Sequence, residues 1–479
     1  MPDFFKSFIA SFRLPADWPN RALLAVCLLS NGIVLTNAIL NDPDTGPDHS
    51  AHLAYVSTLA RLHLPTPAES AEYYSPPLPY LFPGLLMWSC SISLWWAAKC
   101  AQLLNVLLSI GLTVYLIKIC ELIKPGEVFF KLAAVSFLAL LTVYYKTFAW
   151  VRGEPYVAFW AVIVVHYTLL VFVQHARKRR FIVALGLGIG LLALSRQWGL
   201  LLVPALIGFV CILALKDRRE LIPYLRLLAI SLIISFVIAG WFFLILRNHN
   251  GSVMAFPRER ASRFAFSNQP ASFYFGLSLN RLFKDPVRPG INNQLIPIFY
   301  SDIWGDYRSN FIVHGRDTRT GARLTGRPLE EALTQTPSPD WLVTNRSTVA
   351  PYLGRVNLVS LLPSALALAG LMLGVLHLWR LVWHRAVTDQ TKALALCTLV
   401  VDCSLAGYMW FLIMYPSLAY GDTIKATYML HVFPFVAIMV GYLLHIVHQK
   451  SALAYAVILG LLGAVFVHNL PAMITRYLP

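Results

Sequence analysis

The 479-residue chain is 57% hydrophobic and only 13% charged, against about 45–50% and about 25% in soluble domains. That balance excludes a soluble globular fold and an intrinsically disordered one. The net charge of +16 does not imply nucleic acid, because many basic residues sit at the ends of apolar runs instead of clustering on a polar face.

A membrane helix needs about 20 mostly apolar residues. Such runs fall near 21–40, 95–120, 128–145, 155–174, 181–195, 198–215, 225–246, 355–378, 392–415, 425–447 and 452–470. They predict an all-α polytopic membrane protein with about eleven transmembrane helices. No small-residue cleavage site follows the first run, so it is expected to stay as an anchor. Ser195-Arg196-Gln197 interrupts the short pair at 181–215. The seven cysteines lie in or beside apolar segments without zinc spacing, and read as small buried hydrophobes.

Loop charges set the expected orientation. Lys6, Arg13 and Arg21 precede the first span. Arg177-Lys178-Arg179-Arg180, Lys216 with Arg218-Arg219, Arg380 with Arg385, and Lys450 follow later ones. All fall on one side if every run crosses once, and that side is read as cytoplasmic. The opposite side then receives 41–94, the short turn 146–154 and the polar loop 247–350. The expected organisation is an N-terminal membrane module over 1–246, the large outer loop over 247–350 and C-terminal spans over 351–479. That loop carries 13 Arg/Lys against 8 Asp/Glu, which points to an anionic ligand.

In the first outer segment, Pro47 and Asp48 open a short amphipathic helix. Leu53, Val56, Ala60 and Leu64 form one stripe, and Asp48, His52 and Tyr55 form another face. A second short helix is expected to start at Ser75-Pro76-Pro77-Leu78-Pro79-Tyr80, since proline suits a first helical turn. Neither is long enough to span, and both suit the membrane surface. Two readings of Asp48 stay open: an N-cap, or a general base where an outer pocket meets the bilayer. Asp42 and Asp44 read as turn residues. His49 and His52 with Asp48 give a His-x-x-His spacing, a weak metal signal, and no metal or other cofactor is expected.

Glu154, before Pro155, is expected at the N-cap of the fourth span, as a cap or as a functional carboxylate. Arg196 lies at an outer tip, either snorkelling or clamping a phosphate. Lys425, at the outer start of a late span, either sits at the interface or reaches a carrier phosphate. The cluster Tyr300-Ser301-Asp302-Ile303-Trp304-Gly305-Asp306-Tyr307 suits a sugar pocket and an ordinary loop core equally.

These features in this order resemble the GT-C superfamily of polyprenyl-phosphate-sugar-dependent glycosyltransferases. More narrowly, the chain is similar to bacterial relatives of the protein O-mannosyltransferase and lipid A aminoarabinose-transferase group. The resemblance rests on Asp48, His49 and His52 after one span, then Pro76, Pro77, Leu78 and Tyr80, then Glu154, a large outer loop, and Lys425. It implies Asp48 as catalytic base and Glu154 as a second carboxylate that positions the acceptor. Many members carry paired acidic residues where this chain has Asp48-His49-Ser50.

The implied reaction moves a sugar from a polyprenyl-phosphate carrier to a hydroxyl of a glycan, lipid or protein acceptor, with inversion. Arg196 and Lys425 are expected to hold the carrier phosphate. His49, His52, Tyr55, Tyr80, Asp302, Trp304 and Asp306 are expected around the sugar or acceptor. The expected location is the bacterial inner membrane with the site facing the periplasm. Two alternatives are a flippase for a lipid-linked glycan and an O-antigen-ligase-like enzyme using Arg258, Arg260, Arg263 and His314.

Overall fold

A computed structural model describes residues 17–253, 256, 260–337, 339–417 and 421–476. Lys6, Arg13 and Arg258, named above, lie outside these residues. Nine helices among the described residues are long and apolar enough to cross a membrane. They are Trp18–Leu40, Leu94–Ile123, Glu154–Val173, Gln197–Lys216, Leu221–His249, Arg346–Trp383, Asp389–Met414, Ala426–Lys450 and Ala452–Met473. The chain is an integral membrane protein and its fold is helical; the described strands are three short ones in the polar loop.

The count differs from eleven for two physical reasons. The run at 128–145 breaks into Val128–Leu138 and Thr142–Phe148, bent by 68°. The helix Arg179–Ser195 has 17 residues, about 26 Å at 1.5 Å per residue, short of a hydrocarbon core of about 30 Å. Both stretches still connect the two ends of the bundle. At one end Arg177 pairs with Glu220, Lys216 Nζ donates to the His384 carbonyl at 2.5 Å, and Phe129 stacks on His448. At the other end Asn41 bonds Thr475, Lys425 meets Asp48 and Arg196 meets Glu72. The basic loops therefore gather at one end, and the candidate site lies at the other.

Local chemistry fixes the helix starts and the break. Ser93, Thr388 and Ser451 cap their helices by accepting from Trp96 N, Thr391 N and Ala454 N, which satisfies otherwise orphaned donors. Backbone freed at membrane depth needs partners inside the protein. Gln102 Nε2 donates to the Ala149 carbonyl at 2.7 Å, and Asn105 Nδ2 to those of Phe148 and Trp150 at 3.0 and 2.8 Å.

The first outer segment forms the short helices His49–Leu59 and Leu78–Cys90. Phe82, Leu85 and Trp88 of the second are exposed, as suits a helix lying against lipid. In the polar loop, β1 (Gly315–Asp317), β2 (Arg323–Leu324) and β3 (Leu342–Thr344) form an antiparallel sheet of order β2-β1-β3. Gly315 faces Leu324 on one side and Thr344 on the other. The last helix is tied to the first where Asn37 Nδ2 donates to the Met473 carbonyl at 2.8 Å.

Candidate active site

A cavity of about 850 Å³ opens at the end of the bundle away from the basic loops. The 40–50 segment, parts of the polar loop, the start of the Lys425 span and the chain end at Thr475-Arg476 line it. Gly46 lets its wall form. Its φ is +108°, and an added Cβ would lie 2.7 Å from the Trp150 ring, so glycine alone fits that backbone and that contact.

Asp48 sits at the edge of this cavity. Its backbone is left-handed, φ 60°, a conformation that aspartate tolerates better than most residues. It precedes the His49–Leu59 helix, yet its side chain makes no capping bond. Instead Oδ2 accepts from Lys425 Nζ at 2.9 Å. The carboxylate is 53% exposed and the ammonium 7%. The Lys425 charge holds the Asp48 carboxyl well below the usual carboxylate range, against the opposing effect of burial.

The Lys425 main chain is pinned on three sides. Its N–H donates to Tyr408 Oη at 2.8 Å. The next N–H, of Ala426, donates to Asp302 Oδ2 at 2.7 Å. Arg308 Nη2 donates to the carbonyls of Gly421, Asp422 and Ile424 at 3.4, 2.9 and 2.8 Å. Asp302 is itself paired with Lys146 at 3.4 Å.

Behind Asp48 lies a buried charge network. Arg152 Nε and Nη2 donate to Glu154 Oε2 and Oε1 at 2.6 and 2.9 Å. Arg196 Nε lies 3.4 Å from Glu154 Oε1, and its Nη1 donates to Glu72 Oε2 at 2.5 Å. Ser75 Oγ bonds both Glu72 and Arg196. Gly153 permits this approach, since a Cβ there would meet the Ser195 carbonyl at 2.3 Å. Burial pushes the Glu72 carboxyl up, but Arg196 foremost outweighs it and brings it to about 2. His52 borders the network; its Nδ1 bonds Tyr80 Oη at 2.7 Å. Burial lowers His52 to about 4, so its ring is neutral at pH 7. Arg152 is close enough for its charge to act on Asp48.

Of the residues expected at the site, Asp48, His49 and Lys425 line the cavity. His49 Nδ1 contacts the Gly46 carbonyl at 3.1 Å. Asp42 and Asp44, read as turn residues, line it as well. Glu154 and Arg196 are 2% exposed and lie in the network behind it. Glu154 is the first residue of its helix and Gly153 is the cap, one position from expectation.

Arg196 is not a clamp open to a ligand, because two carboxylates already hold it. Tyr55, Tyr80 and His52 are buried in the packing of the first outer segment; Tyr55 stacks on Tyr80 at 4.3 Å and donates to the Ser75 carbonyl. The 300–307 cluster is a packed loop core. Trp304 Nε1 donates to Ser364 Oγ at 3.0 Å, and Asp306 accepts from the N–H groups of Asn310, Phe311 and Ile312 at 3.0–3.1 Å. The polar atoms of Trp304 and Asp306 are thus taken up within the fold, and neither residue lines the cavity.

The sequence reading passed over Glu72, Arg152 and Arg308. A lone carboxylate in Ala71-Glu72-Tyr73-Tyr74-Ser75, amid aromatic residues, was the signal for Glu72. Arg152 stands two positions from Glu154 in a turn between apolar runs. Nothing in the sequence marks Arg308. Among the described residues, no group of three or more His, Cys, Asp or Glu is arranged to hold a metal ion.

No family model matches the chain, and no curated protein matches it. Solved structures do. ArnT from Cupriavidus metallidurans bound to undecaprenyl phosphate is 13% identical, with a TM-score of 0.42, over 88% of this chain and 59% of its own. The archaeal oligosaccharyltransferase AglB from Archaeoglobus fulgidus, in complex with an inhibitory peptide and a dolichol-phosphate, is 14% identical, with a TM-score of 0.47, over 95% and 55%. ArnT in the apo state gives 14%, 0.36, 88% and 76%. The chain thus spans 59% and 55% of the first two proteins' lengths. ArnT and AglB belong to the GT-C superfamily that the sequence resembles. At these scores the likeness says nothing of this chain's chemistry, which has to come from its own residues.

Proposed function

We propose that this protein is a membrane glycosyltransferase of the GT-C kind, moving a sugar from a polyprenyl-phosphate carrier to an acceptor hydroxyl. The observation that carries this reading is the Asp48 carboxylate, exposed into a cavity of about 850 Å³ with Lys425 at 2.9 Å. A base and a cation at one cavity edge are what the two ends of such a displacement need. The acceptor oxygen attacks the anomeric carbon while Asp48 takes its proton. The bond from that carbon to the phosphate oxygen breaks, and its electron pair leaves with the polyprenyl phosphate. A single displacement inverts the anomeric centre. Lys425 neutralises charge developing on the leaving phosphate.

Lys425 serves both partners in turn. While it holds Asp48, the carboxylate is a weak base. Movement of the ammonium toward the carrier phosphate raises the basicity of Asp48, which couples donor binding to activation of the acceptor. Glu154, with Arg152 and Arg196, acts as a positioning group behind the cavity. The basic loops at the far end of the bundle support a site on the non-cytoplasmic face, the periplasm in a bacterium. Of the residues that suggested a glycan ligase, Arg260 lies over Trp410 and His314 bonds Asn345; neither lines the cavity.

The test is transfer from undecaprenyl-phosphate-linked sugars to cell-envelope acceptors by the purified protein. Wild type should release undecaprenyl phosphate and label an acceptor, and Asp48→Asn should not. Equal transfer by Asp48→Asn would remove the reading.

A further inference from the structure

The cavity holds charge that this chemistry leaves unused. Lys425 pairs with Asp48, Arg288 with Glu330 and Asp422, and Arg327 with Glu331. Arg323 and Arg476 also line the cavity and depart from that pattern. Their side chains bond backbone carbonyls: Arg323 Nη2 that of Phe311 at 3.0 Å, and Arg476 Nη2 that of Leu40 at 3.1 Å. Among the described residues, no carboxylate oxygen lies within the 4.0 Å of an ion pair from either guanidinium. Asp42 and Asp306 act on Arg323 only from farther away, and the Arg476 charge acts on it too.

The fold brings these residues together from distant parts of the chain. Arg323 lies on β2, paired to β1 opposite Arg316. Arg476 follows the last helix, and its segment is fixed by the bonds from Asn37 to Met473 and from Asn41 to Thr475. Both are exposed to solvent within the cavity. A carbonyl fixes the direction of each guanidinium without neutralising it. Like charges lining one cavity repel, and an anion between them removes that repulsion while gaining charge-assisted bonds. The guanidinium fork matches phosphate and carboxylate oxygens.

We infer that Arg323 and Arg476 form an anion subsite for the acceptor, which carries a phosphate or carboxylate group seated there while its hydroxyl faces Asp48. The acceptor assignment rests on the transferase reading; the anion subsite does not. The carrier phosphate belongs to Lys425, at the start of an apolar span.

Purified full-length protein in nanodiscs is titrated with glucose 6-phosphate, with glucose and with undecaprenyl phosphate. Wild type should bind glucose 6-phosphate and not glucose. The double variant Arg323→Gln with Arg476→Gln should bind glucose 6-phosphate at least about tenfold more weakly. Its unchanged affinity for undecaprenyl phosphate then shows that it is folded. Should the double variant not purify, Arg323→Gln alone leaves the chain-end contacts intact and should weaken binding at least about threefold. The inference is overturned if wild type does not distinguish glucose 6-phosphate from glucose, or if the variants bind it as wild type does. It is also overturned if they lose undecaprenyl phosphate instead, since the arginines would then serve the carrier. If wild type ignores undecaprenyl phosphate yet binds glucose 6-phosphate through these arginines, the transferase reading fails and the anion subsite stands.

Discussion

Lys425 Nζ reaches Asp48 Oδ2 at 2.9 Å across 377 positions of sequence. The contact joins the first outer segment to the start of a late span, so the carboxylate and the cation depend on the whole bundle for their spacing. It also decides how the carboxylate titrates. Because the Lys425 charge holds the Asp48 carboxyl below its ordinary range, Asp48 stays ionised until the solution is strongly acid. The stability that this pair contributes is present above the unfolded carboxyl value of about 3.9 and is lost as pH falls through the folded one.

The first prediction concerns rate against pH. Wild-type kcat/KM should show no acid limb from Asp48 between pH 5 and pH 8, a window lying above the ordinary carboxyl value of about 3.9. Lys425→Met removes the group that depresses Asp48, so an acid limb should move up to about 4 or higher. Asp48→Asn should lower kcat by about 10²–10⁴-fold, the range for loss of a general base. The pH profile of kcat/KM for the donor, which reports the free enzyme while Lys425 still holds Asp48, checks the limb, and kcat at pH 7 under saturating donor checks the loss. An unmoved acid limb in Lys425→Met would mean that the contact does not govern the base.

The helices are legible in the sequence because hydropathy over about 20 residues dominates everything else there. The helix starts beside Asp48 and Pro77 are legible from the prolines at or just before their first turns. Which polar groups face a cavity is not. Tyr300 through Tyr307 has the same composition whether it lines a sugar pocket or, as Trp304 and Asp306 do, fills a loop core. One partner of Arg196 is Glu72, 124 positions earlier, and nothing adjacent to either residue announces the other. Long-range charge pairing is set by topology, and one sequence does not reveal topology.

A second prediction separates positioning from phosphate binding. Arg196 is held by Glu72 and Glu154, so Arg196→Gln should lower kcat while leaving the affinity for undecaprenyl phosphate near wild type. Lys425→Met should weaken that affinity. Removing one partner of a buried ion pair costs roughly 3–5 kcal/mol, so Glu72→Ala should unfold markedly earlier on heating. The double variant Glu72→Ala with Arg196→Ala should recover part of the loss, because neither charge is then stranded. Purely additive losses would show that the pair is not coupled.

Arg308 gives a third test. Its bonds to the carbonyls of Gly421, Asp422 and Ile424 shape the turn from which Lys425 projects. Arg308→Met releases them, and the Lys425 ammonium then samples more directions. The expected result is a KM for the carrier raised about tenfold, equivalent to about 1.4 kcal/mol. An acid limb shifted in the same direction as in Lys425→Met should accompany it. A change in kcat alone, with KM and the limb fixed, would contradict this role.

The last prediction concerns His52, whose ring is 2% exposed. Burial lowers it to about 4, from about 6.5 in the unfolded chain. Between those values the unfolded state binds a proton that the folded state does not, so stability falls as pH drops through this window. The shift corresponds to roughly 3 kcal/mol over the full range. His52→Gln keeps a polar side chain beside Tyr80 Oη and removes the titration. Its melting temperature should be lower than wild type at pH 7, where the Tyr80 contact is disturbed. The gap should narrow as pH falls toward 4, because only wild type must then protonate or exclude a proton at this position. Thermal unfolding of both proteins at matched pH in one detergent measures it, and parallel curves would place the acid sensitivity elsewhere.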